Sequence, residues 1–317
     1  MSTPSTERRE PSNDPQISVI MGVFNREQFL RDAIESLLGQ SFAGFEAILV
    51  DDCSTDRSPE ILAEYARRDS RLVVITSKVN QGIARSLNLA IARARAPYLA
   101  VMDSDDVALP DRLETELKFF QAHQDFVLVG SHVKLIDFRG GKIAAEVDLP
   151  TDHRDIDDAL LGSGWPIIHP TIMMRASIVR AIGGYNEEFR SNVDHEIFLR
   201  LAEKGKLANL GDVLLSYRVH HRAMTAQRTS LDHCFVQQAI REACTRRALP
   251  YPPDVRPRNR GLSFHQIYWR TGVRGVPQLA GLLLRSPRAF WGQLSLTLRR
   301  STRIKKLLRV RTRFSQK

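Results

Sequence analysis

Apolar and polar positions switch between two periods along residues 17–103. Four short apolar runs, ISVIMGVF (17–24), FEAILVDD (45–52), RLVVIT (71–76) and PYLAVMD (97–103), carry β-branched residues and suit strands buried on both faces. Between them apolar residues recur at helical spacing. Over 27–38 the inward set is Leu30, Ala33, Ile34, Leu37 and Leu38; over 58–66 it is Ile61, Leu62 and Tyr65; 83–94 is rich in Ala and Leu. This alternation predicts an α/β fold with a mostly parallel central sheet and helices on both faces.

Beyond residue 110 the pattern loosens. Helices are expected over 111–120, 177–182, 194–203 and 231–246, and strands over 126–129 and 213–219. The stretch to about 160 reads as a hairpin followed by a helix. Gly183-Gly184 stops the helix before it. The second half therefore extends the first sheet with a mixture of hairpins and helices.

Two of the expected strands end in acids. One gives Asp51-Asp52, the other Asp103-Ser104-Asp105-Asp106. In open α/β sheets ligands sit beyond the carboxyl ends of the strands. Carboxylates crowded there repel one another and need a counter-charge. Hard oxygen ligands suit Mg²⁺ or Mn²⁺, which commonly lie between protein acids and substrate phosphates. The bland reading of each pair is a helix cap or a solvated charge. The first strand runs into GVFNRE, with neither a G-x-G-x-x-G nor a G-x-x-x-x-G-K-[ST] pattern. A dinucleotide dehydrogenase and a P-loop ATPase are disfavoured on that ground.

Longer blocks carry a family resemblance. ISVIMGVFNREQFLRDAIESLLGQSFAGFEAILVDDCSTD (17–56), NQGIARSLNLAIARARAPYLAVMDSDDVALPDRLE (80–114), HPTIMMR (169–175), IGGYNE (182–187), DHEIFLRLAEKG (194–205) and YRVH (217–220) follow in order. Together they resemble the family 2 glycosyltransferases, the inverting class with the GT-A fold, over about residues 16–222. The resemblance implies a sugar moved from a nucleotide diphosphate sugar, with a uracil, thymine or guanine base, to an acceptor hydroxyl. It implies that Asp52, with Asp51 beside it, contacts the base. Asn80, Gly82, Arg85 and Asn88 would form the nucleotide-side wall. Asp103-x-Asp105 resembles the D-x-D motif, with Asp103 and Asp105 toward the nucleotide and Asp105, Asp106 and His220 toward a Mn²⁺ or Mg²⁺ ion. Asp194 would be the catalytic base. Relatives often place Glu before that Asp, and here the position is Val193.

Asp194 on its own would read as a helix-start charge. His169, His195 and His221 read first as structural or rim residues, and Trp165 as core or sugar-stacking. Rival functions are a sugar-nucleotide nucleotidyltransferase, which would want a Gly-rich, basic loop after the first strand, and a catalytically silent glycosyltransferase-like binding protein.

Charge separates the chain into two parts. Residues 251–317 hold sixteen Lys/Arg against one acid, Asp254, a balance of +15 within a whole-chain +10, which leaves −5 for residues 1–250. The expected organisation is a disordered leader over 1–15 and a catalytic domain over 16–250, divided near 110 into nucleotide-sugar and acceptor-side halves. A basic, partly helical extension over 251–317 would follow. Apolar and basic residues interleave over 262–317, which suits peripheral contact with anionic lipid or a helical cap on the catalytic domain. Nucleic acid is not an expected partner, because no nucleic-acid fold motif accompanies the charge. A glycan or lipid-linked acceptor is expected. Cys53, Cys234 and Cys244 fit neither a zinc site nor a disulfide framework. The first residues lack the apolar core of a signal peptide, and no run reaches the length of a spanning helix. The expected location is cytoplasmic, at the inner face of the cell membrane if the extension binds lipid.

Overall fold

The computed structural model describes residues 14–147, 149–220 and 230–252. The chain divides into two units, 1–264 and 265–317. The expected leader, apart from residues 14–15, and the expected extension, apart from residues 251–252, lie outside the described residues, as does His221.

The first half alternates as the periodicity predicts. β1 (Ile17–Val23), α1 (Leu30–Leu38), β2 (Phe45–Asp51), α2 (Ser58–Arg68), β3 (Leu72–Thr76), α3 (Ile83–Arg93) and β4 (Tyr98–Val101) follow in order. β1 pairs in parallel with β2 on one flank and β4 on the other, and β3 extends the sheet from β2. β1 and β2 are buried almost throughout, as strands covered on both faces must be. Helix α3 approaches β1 closely. A Cβ on Gly22 would meet Ile83 Cδ1 at 2.7 Å.

Helix α1 starts at Leu30, three residues later than the apolar spacing suggests. Residues 25–29 are tied elsewhere. Ser58 Oγ accepts the Arg26 N–H at 2.9 Å, Asp56 accepts that of Glu27 at 3.0 Å, and Glu27 accepts that of Arg57 at 3.1 Å. Asn25 holds the left-handed region at φ 52°.

The second half comprises β5 (Val107–Ala108), α4 (Arg112–Ala122), β6 (Phe126–Ile136), β7 (Lys142–Val147), α5 (His153–Leu161), β8 (Met173–Arg175), α6 (Ala176–Ala181), α7 (Val193–Ala202), β9 (Lys206–Arg218) and α8 (Ser230–Arg246). The sheet runs β3-β2-β1-β4-β8-β6-β9-β5, with β7 on β6. It is mixed: β8 is antiparallel to β4 and β6, β5 to β9 and β7 to β6, while β6 and β9 are parallel.

Besides the two-residue β5, which is too short to show a period, three strands differ from the pattern reading for local reasons. β8 is three residues long, too short to show a period. β6 continues past residue 129 to Ile136. β9 begins at Lys206 rather than at 213, because Leu210 pairs with Ser131 and Val213 with the next residue, His132. Gly211 and Asp212 are therefore extra residues, exposed, and they break the alternation.

Behind the sheet, Arg112 and Glu116 form a buried ion pair at 3.0 Å. Arg112 also donates to the Val101 carbonyl at 2.8 Å, fixing α4 to the end of β4. Among the described residues no helix is long and apolar enough to cross a membrane.

Candidate active site

At β1 the chain's direction of growth across the sheet reverses, with β2 on one side and β4 on the other. Ligand crevices in such sheets open at this point, beyond the carboxyl ends of the strands. The segments after β1, β2 and β4 meet here.

Asp51 ends β2, Asp52 follows it, and both are buried. Asp51 Oδ1 accepts the Ser54 N–H at 3.2 Å. Its Oδ2 is buried and takes no donor among the described residues. Asp52 accepts the N–H groups of Gln81 and Gly82 at 2.7 and 2.8 Å. Both Asp52 oxygens thus hold the turn that opens α3, while Asp51 Oδ2 beside them is open. Asn80 is exposed at this turn. Arg85 is on the exposed side of α3, where its Nε donates to Glu187 at 2.9 Å. Asn88 clasps the Tyr185 backbone, accepting its N–H at 2.8 Å and donating to its carbonyl at 2.9 Å. These contacts bind α3 to the segment after Gly183-Gly184.

Asp103, Asp105 and Asp106 converge after β4. One carboxylate oxygen of each lies within 4.8 Å of the others. Asp105 Oδ2 receives Arg26 Nε at 3.1 Å and faces His220 Nε2 at 3.0 Å. His220 is buried and rests against Phe29, ring centroids 4.6 Å apart. Asp106 Oδ1 accepts the Arg218 backbone N–H at 2.7 Å, and its buried Oδ2 takes no donor among the described residues.

The three acids differ in charge state. Burial, then the negative charge of Asp105, pushes Asp103 up to about 7. Burial and the other two carboxylates push Asp106 well above the ordinary range. Burial opposes ionisation of Asp105 too, but its bond to His220 and the charge of Arg26 outweigh that and hold it low. Two of three clustered carboxyls are thus driven toward the neutral form. A divalent cation would reverse that by supplying positive charge. The cluster of hard oxygens and the unpartnered Asp106 Oδ2 fit such an ion.

Asp194 lies in the first turn of α7, half-buried. The N-cap position is Asn192, at φ 55°. Asp194 is therefore not the cap. Its charge acts on Asp103, His169 and Tyr185, which brings α7 and the acid cluster to one site. No described residue donates a hydrogen bond to its carboxylate. His169 Nε2 lies 2.8 Å from the Tyr185 hydroxyl, and burial lowers the pKa of the ring. His195 is fully buried, with Nε2 3.1 Å from the Leu160 carbonyl and its ring 5.3 Å from Trp165, so both rings serve the core.

The sequence reading passed over Arg26, Glu187 and Arg218 as site residues. Each stands inside a recognisable block, in GVFNRE, IGGYNE and YRVH. What marks them is charge complementarity to residues far along the chain: Arg26 to Asp105, Glu187 to Arg85 and Arg218 to Asp32.

Comparison with known proteins supplies an independent line. The sequence model described as glycosyl transferase family 2 matches residues 18–183. The chain is 36% identical over 248 residues to the putative glycosyltransferase EpsE of Bacillus subtilis, covering 75% of this chain and 85% of EpsE. It is 29% identical to the O-antigen biosynthesis glycosyltransferase WbnJ of Escherichia coli, covering 74% of this chain and 91% of WbnJ. Its fold is similar to that of S. aureus TarS in complex with UDP-GlcNAc, with a TM-score of 0.59 at 19% identity over 86% of this chain and 76% of that one. It is also similar to the mannosyltransferase PcManGT of Pyrobaculum calidifontis in complex with GDP-Man and Mn²⁺, with a TM-score of 0.57 at 16% identity over 96% and 86%.

Proposed function

The chain belongs to glycosyl transferase family 2, and from that premise we propose a division of labour among its residues. The enzyme is an inverting, metal-dependent glycosyltransferase with a GT-A-like fold. Asp194 removes the proton from an acceptor hydroxyl as that oxygen attacks the anomeric carbon. Attack comes from the face opposite the leaving diphosphate, which inverts the centre. Asp105 and Asp106, with Asp103 beside them, would hold a divalent cation, and His220 orients Asp105. A bound cation offsets charge on the departing diphosphate. Asp51, Asp52, Asn80 and Arg85 line the nucleotide side. Within that set Asp51 Oδ2 is an open acceptor for a base N–H or ribose hydroxyl, and Asp52 beside it also shapes the wall by holding Gln81 and Gly82.

One observation carries this reading: the convergence of three carboxylate oxygens within 4.8 Å on the same site as the charge of Asp194. A panel of labelled UDP-, dTDP- and GDP-sugars with Mn²⁺ tests it. Slow sugar release from one donor is expected. Silence with every donor would overturn it and favour the binding-protein alternative, and pyrophosphate-dependent turnover would favour the nucleotidyltransferase.

The acceptor is a glycan or a lipid-linked glycan of bacterial surface polysaccharide or lipopolysaccharide. The O-antigen assignment carried by WbnJ supports this. Mn²⁺ is the first metal to try and Mg²⁺ the second. The +15 balance of residues 251–317 supports peripheral contact with anionic lipid on the cytoplasmic face. Loss of vesicle co-sedimentation at high salt is the expected sign, and salt-independent absence of sedimentation would remove that part.

A further inference from the structure

Arg218 is bonded on several sides beside the acid cluster. Its own N–H holds Asp106 Oδ1 at 2.7 Å, and its Nε donates to the Asp105 carbonyl at 2.7 Å. Nη1 reaches the carbonyls of Asp137 and Phe138 at 3.4 and 3.3 Å, in the turn between β6 and β7. Nη2 donates to Asp32 on α1 at 2.9 Å. The guanidinium stands 5.0 Å from the centre of the Phe29 ring. The Arg218 side chain is only 2% exposed, whereas that of Asp32 is 59% exposed.

We infer that Arg218 is the positioning residue of the cation site, clamping the Asp105-Asp106 segment to β9, α1 and the β6–β7 turn so that its carboxylates converge. The inference rests on the reading of the acid cluster as a cation site. Two physical points support it. First, consecutive acids whose charges repel do not stay convergent without an external hold, and Arg218 grips both, one by side chain and one by backbone. Second, a planar guanidinium with five N–H donors can serve the Asp105 carbonyl, Asp32 and the β6–β7 turn at once, whereas an ammonium cannot span them. Asp32 completes the arrangement by orienting the fork from solvent. Groups that hold metal ligands from behind commonly tune affinity in this way.

The test uses the full chain and Mn²⁺ alone, with free Mn²⁺ read by electron paramagnetic resonance and thermal stability measured without metal. Arg218→Lys keeps the charge and loses the fork. It should weaken Mn²⁺ binding by about 10–100-fold, the range typical of lost support behind a ligand. Asp32→Asn should weaken binding in the same direction by less. A purely structural Arg218 would lower the metal-free melting temperature and leave the affinity of the folded protein unchanged, which would overturn the inference. Where Arg218→Lys does not fold, Asp32→Asn decides alone, and wild-type affinity in that variant overturns it. Wild-type protein that binds no Mn²⁺ would overturn the cation reading itself; wild-type binding with unchanged affinity in Arg218→Lys overturns this inference only.

Discussion

The Gly82 N–H donates to Asp52 Oδ2 at 2.8 Å, joining the end of β2 to the start of α3 across the crevice. Gly82 reaches this position at φ 86° and ψ 165°, a region that side chains other than glycine's rarely occupy. The Asp52 bond and the glycine are one device: the backbone must take that conformation for two consecutive N–H groups to face one carboxylate.

Gly82→Ala isolates the backbone cost. An added Cβ would meet nothing within 4 Å, so no packing clash contributes. The expected loss is about 1–3 kcal/mol of folding stability, the usual cost of a residue forced into such a region. Chemical denaturation measures it. A variant as stable as wild type would mean that the turn relaxes away from Asp52, and nucleotide affinity would then fall instead.

Replacement of Asp105 or Asp106 by Ala should abolish transfer and remove metal-dependent binding of nucleoside diphosphates. The motivation is the shared cluster and the unpartnered Asp106 Oδ2. Calorimetry of UDP, GDP and dTDP with Mn²⁺ reads the outcome, because a ligand that binds through the ion loses affinity when the ion is lost. Unchanged affinity for the preferred nucleotide in both variants would remove these acids from the cation site.

Much of this site was legible in the sequence. Strand ends place acids predictably, so Asp51-Asp52 and the 103–106 cluster could be located from apolar runs alone, and the repulsion within them pointed to a cation. The role proposed for Asp194 rested on the family resemblance, because a helix-start Asp on its own reads as a charge near the dipole. What stayed hidden depends on tertiary proximity. Nothing near Arg218 in sequence says that it meets Asp32, 186 residues away, nor that Asp52 spends both oxygens on backbone. β8 was hidden by shortness, and the first half of β9 by the bulge at Gly211-Asp212.

Glu116 offers a pH test away from the acid cluster. Burial pushes its carboxyl up from the ordinary value to about 7, against the pull of Arg112. The folded protein therefore holds this proton more tightly than the unfolded chain does. The stabilisation is complete below the unfolded pKa and is lost as pH rises through about 7. Glu116→Gln removes the titration while keeping an acceptor for Arg112. The melting temperature of wild type relative to Glu116→Gln should fall as pH rises from about 4.5 to about 7. A difference independent of pH across that range would mean that the Glu116 carboxyl does not titrate there.

Asp194 gives the sharpest division between structural and chemical roles. It stands in the first turn of α7, where a negative charge favours the helix by roughly 0.3–1 kcal/mol. It is not the cap, so its loss leaves Asn192 in place. Asp194→Asn keeps the shape and removes the basicity. Stability should shift by no more than that dipole contribution, and Mn²⁺-dependent nucleotide affinity should survive, since Asp105 and Asp106 stand on a different segment. Transfer should fall by about 10²–10⁴, the range typical of lost general-base help. The Asp194 charge also acts on Asp103, His169 and Tyr185, so its removal should make Asp103 easier to ionise. Cation binding is therefore expected to hold or tighten while turnover collapses. Opposite movement of binding and rate separates a base from a ligand: a metal ligand would lose both. Transfer in Asp194→Asn within a factor of about three of wild type would end the base assignment, since general-base catalysis contributes far more than that. His195 could not inherit the role without rearrangement, because its ring is buried against Trp165 and the Leu160 carbonyl on the core side of the same helix.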